Sequence, residues 1–150
     1  MLYFAGKPLM FWADAISDAD LSLLRAERIP DFQTEFEMYT IFLSLKFFSP
    51  LVPQPFAIFL RTDNSASLHA CLTFKAKSPL LTHLTAEFLL EFLCNGWIPP
   101  RGERVAGVLN DTADSLSRGE VPASLTQAKR VEVLPRTIHM FRAWPYAQPD

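Results

Sequence analysis

The sequence predicts one α/β domain, a mixed sheet flanked by helices, and three observations predict it. Residues 56–60, Phe-Ala-Ile-Phe-Leu, are a continuous apolar run that ends abruptly in Arg61-Thr62-Asp63-Asn64-Ser65. That is the pattern of a strand buried on both faces whose carboxyl end carries polar groups, where open α/β sheets place their ligands. Two longer segments on either side of it repeat apolar residues at helical spacing. Residues 2–12 hold two short apolar runs around Gly6-Lys7, which reads as a hairpin. A chain of 150 residues suits one domain with a proper core.

The elements follow in order. After the hairpin, Ser17-Asp18-Ala19-Asp20 is a helix-start signal ahead of Leu21, Leu23 and Leu24, and Ile29-Pro30-Asp31 breaks that short helix. From 32 to 48, Phe32, Phe36, Tyr39 and Leu43 line one helical face, while Glu37, Thr40 and Ser44 share a more polar one. Ser49-Pro50, Pro53 and Pro55 stop this helix stiffly. Beyond the strand at 56–60, Ser65 is the expected cap of a helix through Leu68, Cys71 and Leu72. Ser78-Pro79 then opens a second helix with Leu81, Leu84, Phe88 and Phe92 on one stripe. Asn95-Gly96 ends it. A short strand is expected within 103–109, and a last helix from Asn110 to Ser117, capped by Asn110 and closed by Gly119. Residues 120–150 turn polar and proline-punctuated and read as a linker or tail, with 129–134 as its one stretch of strand character.

Composition narrows the function classes. Nearly half the chain, 49%, is apolar and it holds 13 phenylalanines, so a dense core is expected and wholesale disorder is not. A net charge of −2 argues against a protein that grips nucleic-acid backbones by counterion release alone, although Lys75 to Lys77, Arg101 to Arg104 and Lys129 to Arg136 form local basic clusters. Cys71 and Cys94 lie far apart in apolar runs without zinc-ligand spacing, which fits a reducing, intracellular setting. The apolar run near the start is about half the roughly 7–15 residues of a signal peptide. No stretch approaches the ~20 apolar residues of a membrane span. His83 and Glu87, and Glu87 and Glu91, stand four apart on a helix, a spacing of surface pairs or buried hydrogen bonds more than of a metal or glycosidase site.

Acidic residues stand where chemistry could use them. Glu37 lies on the polar face of the first long helix, Asp63 at the end of the apolar strand, and Asp111 and Asp114 in the first turn of the last helix. A carboxylate at the end of a buried strand is costly unless exposed, paired or on a metal. Three such groups converging at one sheet edge could hold divalent cations, and two such ions clamp the attacking and leaving oxygens of a phosphodiester. The spacing alone equally allows Asp63 to cap the following helix and Asp111 to be stabilised by a helix dipole.

Three segments carry a family resemblance. Asn110-Asp111-Thr112-Ala113-Asp114-Ser115-Leu116-Ser117-Arg118-Gly119 resembles the N-x-x-A-D-x-L-S-R-G closing motif of ribonuclease H-like domains in retrotransposon and retroid pol polyproteins. Thr62-Asp63-Asn64-Ser65-Ala66 looks like their T-D-N-x-A turn after the fourth strand, and Phe32-Gln33-Thr34-Glu35-Phe36-Glu37 is similar to their Q-x-x-E segment. Order and separation agree, and the resemblance covers residues 1–119. It implies a ribonuclease H-like mixed sheet flanked by helices. It further implies Glu37, Asp63 and Asp114 as catalytic, metal-holding carboxylates, with Glu35 the competitor of Glu37. Asn64, Asn110 and Arg118 would contact substrate, Mg²⁺ or Mn²⁺ would be the cofactor, and the partner an RNA–DNA hybrid.

The sequence also departs from that family. The family's first strand carries its leading aspartate in a D-A/S-x-x-G-x-G segment, and here the chain starts at what resembles the second strand. Asp14 and Asp18 do not replace it. Arg104-Val105-Ala106-Gly107 stands where the family has His-x-Pro-Gly. The expectation is therefore a remnant that lacks the first strand, holds metal weakly and does not cleave; the alternative is a non-catalytic interaction or nucleic-acid-binding module. The strand at 56–60 would then present an apolar edge to another chain, or be closed by residues 129–134.

Overall fold

The structure, a computed structural model, describes residues 1–4, 7–25, 32–107, 110–132 and 140–142. Its elements are β1 (Leu2–Phe4), β2 (Lys7–Phe11), α1 (Asp18–Leu24), α2 (Gln33–Phe48), β3 (Phe59–Thr62), α3 (Ser65–Thr73), α4 (Pro79–Asn95), β4 (Arg101–Arg104), α5 (Asp111–Ser117) and β5 (Lys129–Arg130). The chain is thus mixed α/β with five described helices and small sheets. The hairpin turn, the break at Ile29-Pro30-Asp31 and residues 133–134 of the possible strand lie outside the described residues.

The helix signals act as read. Ser17 and Asp20 form a reciprocal capping box on α1, Ser78 caps α4 ahead of Pro79, and Gly96 ends α4 in the left-handed region at φ 64°. Two caps differ. Asn64, not Ser65, caps α3, its side-chain oxygen accepting from Ala66 and Ser67 N–H, because a carboxamide at the strand end reaches both donors. Asn110 occupies the cap position of α5 but its side chain makes no capping bond.

α2 is the centre of the molecule. Phe36, Met38, Tyr39, Phe42, Leu43, Leu45, Phe47 and Phe48 are all buried on it, so the apolar face is far wider than one stripe. α3 and α4 pack on it, and Cys71, Leu81, Leu84, Phe88 and Phe92 join the same core. Strand alternation places β2 between two layers: Met10 and Trp12 face this main core, whereas Phe11 packs with Leu116 of α5 and Leu125.

The expected sheet appears as two. β1 pairs antiparallel with β2, and β2 pairs parallel with β5; separately, β3 pairs parallel with β4. Among the described residues no strand bridges β1 and β3. Residues 129–130 pair with Met10 and Phe11 of β2, so this stretch does not close the edge of β3. The strand expected at 56–60 forms at 59–62, and the one expected within 103–109 at 101–104, because the pairing Phe59 to Arg101 through Thr62 to Arg104 sets both registers. β3 is also not buried on both faces. With one strand neighbour and α3 on one side, it alternates, leaving Leu60 half-buried and Phe59 59% exposed.

The segment read as a linker or tail contributes to the packing where it is described. Leu125 is buried in the second cluster, and Phe141 is buried in the main core against Tyr39 and Phe42.

Gly102 marks the closest approach of sheet and helix. A Cβ there would lie 2.6 Å from the Leu60 carbonyl oxygen and 3.0 Å from Leu68 Cδ1 of α3. The carbonyl is strand backbone and cannot yield without distorting β3. Gly102→Ala is therefore expected to destabilise the fold by about 1–3 kcal/mol, seen as a lower urea midpoint with an unchanged slope.

Candidate functional site

The site forms where the carboxyl ends of β3 and β4 meet the start of α3 and the first half of α2. Pairing of β3 with β4 brings Asp63 to that end, and Val105 N–H extends the ladder by donating to the Thr62 carbonyl. Arg104 Nε donates to the Asp63 carbonyl at 3.1 Å, so a guanidinium adjoins the turn. A Cβ on Gly107 would lie 4.0 Å from Asp63 Oδ2, so glycine keeps that side of the carboxylate lightly covered. Asp63 does not cap α3; Asn64 does, which removes the structural role that spacing alone allowed it.

Glu37 faces this turn from α2. It is half-buried and accepts hydrogen bonds from Asn64, Gln33 and Ser67, the last at 3.5 Å. Asn64 also donates to Thr34 Oγ1 at 3.3 Å, tying the turn to the same helix. Burial raises the pKa of Glu37 above its ordinary value of 4.5, the nearby Asp63 charge adds to that rise, and the donors oppose it. Glu37 and Asp63 therefore lie near enough at the strand end to interact electrostatically. Glu35 is engaged elsewhere, accepting from Ser78 Oγ at the cap of α4, so of the two helix glutamates Glu37 is the one beside Asp63.

The other expected residues are placed as follows. Asp114 lies in the first turn of α5, half-buried, and Asp111 beside it is exposed. α5 packs through Leu116 on Phe11 and Leu125, in the second cluster rather than the main core. Among the described residues no three His, Cys, Asp or Glu side chains form a group that could hold a metal ion, so Asp114 does not join Glu37 and Asp63 in one. Arg118 is exposed at the end of α5, and Asn110 is half-buried at its start. Glu37 and Asp63 supply two hard oxygen donors, a donor set that falls short of a two-metal centre.

Sequence reasoning missed several neighbours of this pair. Gln33, Thr34, Ser67 and Arg104 surround it; Gln33 and Thr34 lie in the Q-x-x-E-like segment, Arg104 in the segment that replaces His-x-Pro-Gly, and Ser67 in none. Ser67 follows Asn64 by three and could have been read as sharing its face of the helix start. The sequence marks Arg104 as part of a basic cluster, and strand pairing is what brings it to the Asp63 turn. Cys71, a possible nucleophile by type, is buried with its thiol pushed up to about 12 by desolvation, which leaves it a core residue. Trp12 donates to Ser44 Oγ and packs edge-on against Phe47, and Trp97 packs against Phe56 and Phe92; both are structural rather than exposed for base stacking. No described helix is long and apolar enough to cross a membrane.

Compared with protein-family models, with curated proteins and with solved structures, the chain finds no match in any of the three.

The raised pKa of Glu37 has a signed consequence. Between the unfolded value near 4.5 and the higher folded value the native state binds more protons, so stability falls as pH rises through that window. Glu37→Gln should remove this fall, giving a higher thermal midpoint than wild type at pH 7 and no advantage below about pH 4. Asp63→Asn should shift the carboxyl titration of Glu37 downward, read by ¹³C NMR of that side chain.

Proposed function

We propose that the chain is a remnant of a retroelement pol ribonuclease H-like domain, whose intact form hydrolyses the RNA strand of RNA–DNA hybrids with Mg²⁺ or Mn²⁺. The observation that carries this reading is the meeting of Glu37 and Asp63. The two residues, 26 positions apart in sequence, come from two segments of the resemblance, and Glu37 of α2 accepts from Asn64 and Ser67 just beyond Asp63, which supports the reading. The closing segment around Asp114 supports the reading by its wording. In such a domain the cations neutralise charge on the phosphodiester oxygens. Here the described residues supply two neighbouring carboxylates rather than the larger set that two ions need. This chain is accordingly read as inactive, with weak cation binding at Glu37 and Asp63.

The test is a titration of the 150-residue chain with Mg²⁺ and Mn²⁺, followed by NMR at Glu37, Asp63 and Asp114, beside a hybrid-cleavage assay. Millimolar-range binding centred on Glu37 and Asp63 with no cleavage is the expected result. Cleavage abolished by Asp63→Asn would show a working enzyme instead. No cation response at either carboxylate would remove the support for a metal-dependent ancestry.

A second reading, a non-catalytic interaction module, is favoured by one specific feature. β3 has β4 as its only described strand neighbour, and Phe59 on it is largely exposed. An unpaired apolar edge is a template for strand addition by another chain. Concentration-dependent self-association is expected in sedimentation velocity, and Phe59→Lys should weaken it.

A further inference from the structure

Two carboxylates on α4 are buried almost completely: Glu87 is 2% and Glu91 4% exposed. They stand four residues apart on one stripe of the helix, facing α2. Burial of two anions on one helix face is unfavourable unless each finds cations or donors. Glu91 receives Lys46 Nζ of α2 at 2.7 Å and also Arg142, whose Nε lies 2.7 Å from Oε1 and Nη2 3.4 Å from Oε2. Glu87 accepts the backbone N–H of Arg142 at 2.6 Å. Two pairings of this acidic stripe therefore come from a single residue near the end of the chain.

The residue before it supplies the apolar half of the contact. Phe141 is buried with its ring stacked on Phe42, centroids 5.2 Å apart, and on Tyr39 at 6.4 Å. Met140 packs against the same core. Residues 140–142 belong to no strand or α-helix, and Arg142 is held through its guanidinium and its backbone N–H. That is how a short linear peptide is bound: one aromatic anchor in an apolar slot, and one arginine held by a carboxylate in a two-point contact.

We propose that the face between α2 and α4 is a peptide-recognition groove for an aromatic–arginine segment, and that residues 140–142 are its intramolecular ligand. Tyr39 and Phe42 form the aromatic slot. Glu91 reads the guanidinium, and Glu87 fixes the peptide backbone. Lys46 lies over the Phe42 ring at 5.7 Å and shares Glu91, so it keeps the acidic end partly neutralised when the segment exchanges.

The experiment keeps the full chain until after folding. A protease-recognition sequence is inserted between Arg136 and Thr137, the folded protein is cut, and a fluorescent copy of residues 138–144, Ile-His-Met-Phe-Arg-Ala-Trp, is titrated into it. The copy should bind the cut protein and not the uncut one, whose groove is occupied. Copies with Phe141→Ala or Arg142→Ala should each bind at least roughly tenfold more weakly, and Glu91→Gln in the body should weaken the natural copy but not the Arg142→Ala copy further. Equal binding of natural and alanine copies, or no uptake at about 1 mM, would overturn the proposal. So would a cut protein that loses its fold and does not recover it with the copy, since the segment would then be an inseparable part of the core. A second measurement needs no cleavage: Arg142→Ala in the full chain should leave the circular dichroism spectrum unchanged and admit the labelled copy.

Discussion

A sixteen-residue helix that is apolar around most of its circumference has to be surrounded, and each polar group it carries into that surround has to be paired. α2 meets this condition with partners from three different parts of the chain. Tyr39 donates to Asp20 at 2.9 Å, fixing α1; Ser44 accepts from the Trp12 indole at 3.0 Å, fixing the exit of β2; Lys46 pairs with Glu91, fixing α4. In a low-dielectric interior a lost partner costs about 1–3 kcal/mol, more when a charge is left. These bonds therefore specify which elements lie where, while the phenylalanines supply the bulk of the burial. Among the described residues every buried side-chain nitrogen and oxygen has a partner. Asp20 shows how tightly this is arranged: one oxygen completes the capping box with Ser17 and the other accepts from Tyr39.

The same helix carries a glutamate treated differently. Glu91 is buried and faces two cations, whereas Glu37 is half-buried and faces neutral donors and another carboxylate. Burial raises the pKa of Glu37, the Asp63 charge adds to the rise, and neutral donors offset this less than a guanidinium would. The difference is one of position. Glu91 lies inside the helix layer, where an unpaired anion would prevent packing. Glu37 lies at its rim, where the carboxyl ends of two parallel strands open toward solvent.

Legibility follows from how local each determinant is. Ser78-Pro79 and Asn95-Gly96 bound α4 because capping is settled within a few residues, and a strand-end turn at Asp63 was readable from an apolar run meeting a polar cluster. The register of β3 was not. Five consecutive apolar residues do not say where pairing starts: only Phe59 and Leu60 of them enter β3, which runs on through Arg61 and Thr62, and that choice belongs to β4. The ambiguity between Glu35 and Glu37 is of the same kind. Both lie within one turn of α2, and what separates them is Ser78, contributed by the start of another helix. Phe141 and Arg142 were least legible of all. A three-residue contact has no period, and its partners Tyr39, Phe42, Glu87 and Glu91 are chosen by tertiary packing alone.

Because α2 is fixed at Tyr39, Ser44 and Lys46, its first half cannot turn to carry Glu37 away from Asp63. A glutamate on a loose surface helix would swing toward water and away from Asp63. Glu37 instead remains held by Gln33 on its own helix and by Asn64 and Ser67 across the interface, and Asn64 is itself anchored to Thr34 and to the start of α3. The rigidity that stabilises the core thus preserves an arrangement that by itself is unfavourable. Local rules give way most often at functional positions, where the rest of the structure compensates. Glu37 keeps its hydrogen-bond donors, yet burial and the Asp63 charge both disfavour its ionised form.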